Sequence, residues 1–223
     1  SISNAQTLSG QSVLITAAGL TNNGSINSGS SIVVNALTTD LTLSGSGFMS
    51  AGGFILPIVS INAQNLNLAN GVNQNITSGS VLVNAQNVIG AGNGSATIAV
   101  PNGILSFVSL GTLRFASSTA QPTTLLFNSP NTIVACATCS FDTGTTIRTS
   151  GNLDVFAAGG LITFAGGSAL ESAGFLGGNR IALSSLGTLT VQTESGTNAS
   201  LKSAGGQIKI SPLFGSLNFS SSG

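Results

Sequence analysis

Few side chains in this 223-residue chain are able to do chemistry, and they are widely scattered. Histidine is absent, which removes a Ser-His-acid triad, a Cys-His pair and a His-ligated zinc at one stroke. The acids are Asp40, Asp142, Asp154, Glu171 and Glu194, and the bases are Arg114, Arg148, Arg180, Lys202 and Lys209. A glycosidase needs two carboxylates facing one bond. Only a fold that brings separate segments together could supply such a pair, with Asp142 and Asp154 around Arg148 as the nearest in sequence. Solvated single charges are the plainer expectation, and the chain is read as a non-enzyme. No Asp-rich calcium loop and no glycine-rich phosphate loop followed by Lys and Ser occurs, so no metal or cofactor is expected.

Cys136 and Cys139 form the one Cys-x-x-Cys. Without a second pair it is poor zinc chemistry, and no βαβ pattern surrounds it to suggest a thioredoxin-like redox site. In a straight strand the two α-carbons would stand about 10 Å apart, too far to bridge. A corner at Ala137-Thr138 brings them within reach, so a stapling disulfide and two thiols both remain open. Five Asn-x-Ser/Thr sequons, at Asn23, Asn75, Asn93, Asn198 and Asn218, are what chance gives in a chain this rich in Asn, Ser and Thr.

The composition narrows the partners. Charged residues make up 4% of the chain against roughly 25% in ordinary soluble domains, yet hydrophobic residues reach 41%. That is enough to bury a core, with hydroxyls and amides in place of charges at the surface. Zero net charge, dispersed bases and the lack of Tyr and Trp argue against nucleic acid. No apolar run approaches the ~18 residues of a membrane span, so membrane insertion is not expected. A chain with no net charge tends to associate.

The elements that position these residues are short and repeated. Val81-Leu82-Val83-Asn84-Ala85-Gln86-Asn87 rewrites Val59-Ser60-Ile61-Asn62-Ala63-Gln64-Asn65, and Ile32-Val33-Val34-Asn35-Ala36 is an earlier copy. Ile2-Ser3-Asn4-Ala5-Gln6 echoes the same string, so the repeat runs from residue 2 and the chain reads as a mature piece or excerpt of something longer. Copies recur at roughly 19 to 28 residues, the range of solenoid repeats. Their period-2 alternation marks half-buried strands. Gly, Ser and Asn clusters between them suit corners.

The spacing therefore predicts an all-β parallel β-helix, one solenoid over 1–223 with about ten rungs. Its inward ladder is expected to hold Val13, Ile15, Ile32, Val34, Val59, Ile61, Val81, Val83, Leu153, Val155, Ile181, Leu183, Ile208 and Ile210. Corner amides such as Asn65 and Asn87 are expected to stack. Residues 48–58 and 90–130, the latter with Pro101, Pro122 and Pro130, read as irregular excursions.

The run Leu14-Ile15-Thr16-Ala17-Ala18-Gly19-Leu20-Thr21-Asn22-Asn23-Gly24-Ser25-Ile26-Asn27-Ser28-Gly29 resembles the filamentous-haemagglutinin-like adhesins of Gram-negative bacteria. Leu66-Asn67-Leu68 followed by Asn75-Ile76-Thr77-Ser78-Gly79 repeats it loosely. The resemblance implies a right-handed parallel β-helix displayed as a fibre on the bacterial cell surface. Neither end of the pattern offers a polar cap, and open strand edges recruit further strands. The expected function is thus structural: an extracellular fibre that assembles head to tail and adheres to a host or matrix glycan or protein. A carbohydrate-binding or carbohydrate-active β-helix is the alternative, and an ice-binding solenoid a lesser one.

Overall fold

The described strands pair in parallel, and between the first and last turns each pairs with its counterparts one turn earlier and one turn later. The computed structural model describes residues 1–52, 58–173, 179–194 and 197–222. Among these there is no helix, and the strands wind into a β-solenoid of about eight turns. Each turn crosses three faces.

Face A carries the ladder named above. Its register runs Val13, Ile32, Val59, Val81, Leu105, Thr132, Leu153, Ile181, Ile208. Two residues further along each strand a second column runs Ile15, Val34, Ile61, Val83, Phe107, Val134, Val155, Leu183, Ile210. Rungs are numbered 1 to 9 by these face-A strands. Face B stacks Ile2–Asn4, Gly19–Asn22, Asp40–Ser44, Asn65–Leu68, Asn87–Gly90 and Thr112–Ser117, and continues to Leu217–Ser222. Face C stacks Phe48–Ala51, Asn73–Thr77, Gly94–Ala99, Thr123–Asn128, Thr145–Thr149, Ala169–Ser172 and Ser200–Ser203 above the first halves of Thr7–Ala17 and Ser25–Ala36.

The rung count is lower than ten for a specific reason. Two segments that read as further copies of the repeat, Ile2-Ser3-Asn4-Ala5-Gln6 and Leu113-Arg114-Phe115-Ala116, belong elsewhere: Ile2 pairs with Leu20 and Arg114 with Asn87, both on face B. One face-A strand, Ile104–Val108, lies inside the proline-bearing stretch and pairs with Ser80–Asn84 on one side and residues 131–135 on the other. The 90–130 stretch is accordingly a set of regular rungs. Pro101, Pro122 and Pro130 stand outside the strands, in corners where no ladder N–H is required. Phe48–Ala51 is likewise a face-C strand, while 53–57 lie outside the described residues.

Alternation fixes what is buried. Val59, Ile32 and Val81 are wholly inaccessible, as are Leu153, Val155, Ile181 and Leu183. Ile208 shares their column but is 45% exposed, and Ile210 is only partly buried, on the last of the described face-A strands. In rungs 5 to 7 the filling changes from aliphatic to aromatic. Phe107, Phe127 and Phe115, one from each face, meet in the interior with ring centroids 4.6 to 6.5 Å apart. Phe115, Phe141 and Phe164 then stack along face B at 5.5 and 5.0 Å.

Some buried polar side chains pair across rungs, whereas the Thr132 and Thr145 hydroxyls have no partner among the described residues. The buried Asn22 and Gln74 exchange bonds: Asn22 Nδ2 donates to Gln74 Oε1 at 2.9 Å and Gln74 Nε2 to the Asn22 carbonyl at 3.0 Å. One corner shows why glycine is required. Gly160 has φ +80°, and a Cβ there would sit 2.1 Å from the Thr188 carbonyl oxygen on the next rung.

Candidate functional site

The chemistry-bearing residues are distributed along the coil, and each is tied to a neighbouring rung. Cys136 closes the face-A half of rung 6 and Cys139 is the second residue of its face-B half, with a register shift between Cys136 and Thr138. The resulting corner places the α-carbons 5.9 Å apart, and the two are joined by a disulfide buried in the core. Other rungs fill the Cys136 position with alanine, as at Ala85 and Ala157.

Asp142 and Asp154 do not meet. Asp142 lies on face B, where Arg114 Nε donates to it at 2.7 Å. Asp154 lies on face A and takes a forked pair of bonds from Arg180 at 3.0 and 2.7 Å. Arg148 is engaged on face C instead, donating to Glu171 at 2.7 Å. Glu171 stands in register between Arg148 and Lys202, whose Nζ is 3.5 Å away. Partial burial pushes the Glu171 carboxyl up, but Arg148's hydrogen bond and charge, joined by Lys202, outweigh it and hold it below the ordinary glutamate value. The partners' hydrogen bonds and charges raise Arg114 and Arg180 against their own desolvation. Each pair spans neighbouring rungs, so a slip in register would separate its charges. Period-2 pattern alone gave no sign of these pairs, because which rung faces which depends on corner length.

Two of the concave regions of the surface lie beside side chains that could engage a ligand. The first is a notch of about 270 Å³ on face B. Ser140, Thr163 and Gln192 line one side in register, and Asp142 and Glu194 flank the small Ala165 on the other. Both carboxylates already have partners: Asp142 holds Arg114, and Glu194 accepts the Gly166 N–H at 3.0 Å.

The second feature follows the corner between faces A and B. Three amide ladders run up to it. Asn62 donates to Asn35 at 2.8 Å and Asn84 to Asn62 at 2.6 Å. Asn65 donates to Asp40, and Asn87 to Asn65 at 2.6 Å. Between these rows Gln64 donates to Gln86 at 3.2 Å. At rung 5 the corner lengthens: six residue steps lead from Val108 to Arg114, where rung 4 takes three from Asn84 to Asn87. The added length pushes Leu110 outward until it is 99% exposed. A hollow of about 410 Å³ lies below it, lined by Gln64, Asn84, Gln86 and Val108 among others. A second of about 220 Å³ lies above, lined by Val108, Leu110, Ala135, Ala137, Phe156 and Ala158 among others.

Among the described residues no group of three or more His, Cys, Asp or Glu side chains is placed to hold a metal ion. No helix is long and apolar enough to cross a membrane. No family model, curated protein sequence or solved structure matches the chain.

Proposed function

We propose that the chain is a non-enzymatic structural protein of an extracellular, bacterial cell-surface fibre, which lengthens by stacking of one copy on the next. The rung-to-rung pairing carries the proposal. Two columns run in register along face A, from Val13 to Ile208 and from Ile15 to Ile210, apolar but for Thr132. The first and last of the described rungs therefore present the same columns. A second copy set end to end would extend the sheets with the same rung spacing and cover the same apolar columns. Contact between unlike ends does not close on itself and yields filaments.

An oxidising, extracellular setting is supported by the buried Cys136–Cys139 disulfide, since such bonds persist outside the reducing cytosol. Adhesion as the use of the fibre rests on the resemblance to filamentous-haemagglutinin-like adhesins and on a surface of amides and hydroxyls. Sedimentation and electron microscopy at rising concentration test the assembly. End-to-end particles of constant width are expected, and a single short particle at every concentration would overturn it.

A further inference from the structure

The corner between faces A and B combines three features that together describe a ligand. It is uncharged: neither hollow is lined by an acid or a base, and Asp40 is the one charged residue in the first 113. It is long: the hollows meet at Val108 and Leu110 and run from the rung of Gln64 to that of Phe156. Those five rungs span on the order of 19 Å along the axis. It also offers open hydrogen-bonding atoms beside apolar ones. Gln64 Nε2 donates to Gln86 Oε1, which leaves Gln64 Oε1 and Gln86 Nε2 without a bond among the described residues. Asn84 spends its Nδ2 on Asn62 and keeps its own Oδ1 open. An acceptor, a donor and a second acceptor therefore line one hollow, next to Val108 and the projecting Leu110.

We propose that this corner binds a neutral, linear polysaccharide lying along the solenoid axis. Hydroxyl groups both donate and accept, which suits a mixed row of amide oxygens and N–H groups. The C–H faces of sugar rings suit Val108, Leu110, Ala135 and the half-buried Phe156. An extended peptide fits the site less well. Peptides dock on sheets through an open row of backbone groups, and here the backbone of rungs 3 to 7 is already paired above and below. This assignment names the ligand class of the adhesive function and rests on that part of the proposed function, not on end-to-end stacking.

The test uses the whole 223-residue chain, dilute and monodisperse, so that stacking does not enter the readout. Cellohexaose, chitohexaose and maltohexaose are titrated in turn, with a Val/Ala-rich extended peptide as a competitor, and backbone and side-chain amide shifts are followed by NMR. Saturable shifts at Gln64, Asn84, Gln86 and Leu110 with at least one hexasaccharide are expected. The exposed-site double variant Gln64→Ala/Gln86→Ala weakens that binding about five-fold, the scale of one or two lost hydrogen bonds. Leu110→Asp weakens it as well, and Leu14→Ser, elsewhere on face A, leaves it unchanged. The assignment is overturned if none of the three sugars shifts these residues, if the Gln64 and Gln86 variant binds as well as the native chain, or if the peptide alone occupies the corner.

Discussion

Replacing Val83 with alanine and, separately, Leu82 with threonine tests the inward and outward assignment at the centre of the coil. Val83 is 1% exposed and stands in register between Ile61 and Phe107. Alanine removes two methyl groups, which costs about 1.6 kcal/mol in transfer free energy. The void left between two fixed rungs adds roughly 1 kcal/mol. A total near 2.5 kcal/mol corresponds to a roughly sixty-fold change in a local opening equilibrium. Leu82 faces outward and is half-buried, so threonine there changes stability by no more than about 0.5 kcal/mol. Because stability in a stacked coil is set rung by rung, native-state hydrogen exchange is the right assay. The amides of Ile58–Asn62, Ser80–Asn84 and Ile104–Val108 are expected to exchange faster in Val83→Ala and to be unaltered in Leu82→Thr. Val83→Asp goes further, burying a carboxylate with no counter-charge, and should prevent stacking of these rungs. Equal effects at positions 82 and 83 would refute the reasoning.

Thr132 occupies the aliphatic column between Leu105 and Leu153, and its hydroxyl has no partner among the described residues. Thr132→Val is therefore expected to raise stability by about 1 kcal/mol in chemical denaturation. Cys136→Ala/Cys139→Ala removes a staple that closes a four-residue loop, with an expected loss of about 2 kcal/mol concentrated in rung 6. In the native chain, thiol reagents should find no reactive group until a reductant is added. Glu171, held below its ordinary value of 4.5, contributes stability that is present above that value and is lost as pH falls through its lower folded-state value. The difference in stability between the native chain and Glu171→Gln should thus be largest at neutral pH, vanish in acid, and shrink with added salt. Gly160→Ala forces a side chain into positive φ and against the Thr188 carbonyl, and is expected to lower the melting temperature more than Gly187→Ala, where a Cβ meets nothing within 4 Å. Thermal melts of the two variants give the comparison.

The repeated strand was legible because burial in a solenoid is decided by alternation alone, and Val59-x-Ile61 and Val81-x-Val83 alternate without interruption. Corner lengths are what alternation does not encode. Arg114 and Ile2 sit in strands that read like face-A repeats, yet the turns before them deliver both to face B. Ile104–Val108 was obscured by the prolines around it, although Leu105-x-Phe107 has the same parity as Leu113-x-Phe115 and Leu125-x-Phe127. That recurring pattern was the available signal for the aromatic core. The ion pairs and the amide-lined corner depend on side chains brought together from positions 20 to 30 apart. Their partners are set by register, which only the wound chain reveals. The Asn65 and Asn87 ladder is the exception, since both occupy the same place in nearly identical strings.

The most direct measurement is the length distribution of particles formed by the 223-residue chain, taken by cryo-electron microscopy as concentration rises. Eight turns make a unit on the order of 40 Å long. Assembly by continuation of the sheets predicts rods of constant width whose lengths are multiples of that unit, with an unbroken repeat near 4.8 Å across each junction. Rods of one length at all concentrations, or junctions where the repeat breaks, would contradict it.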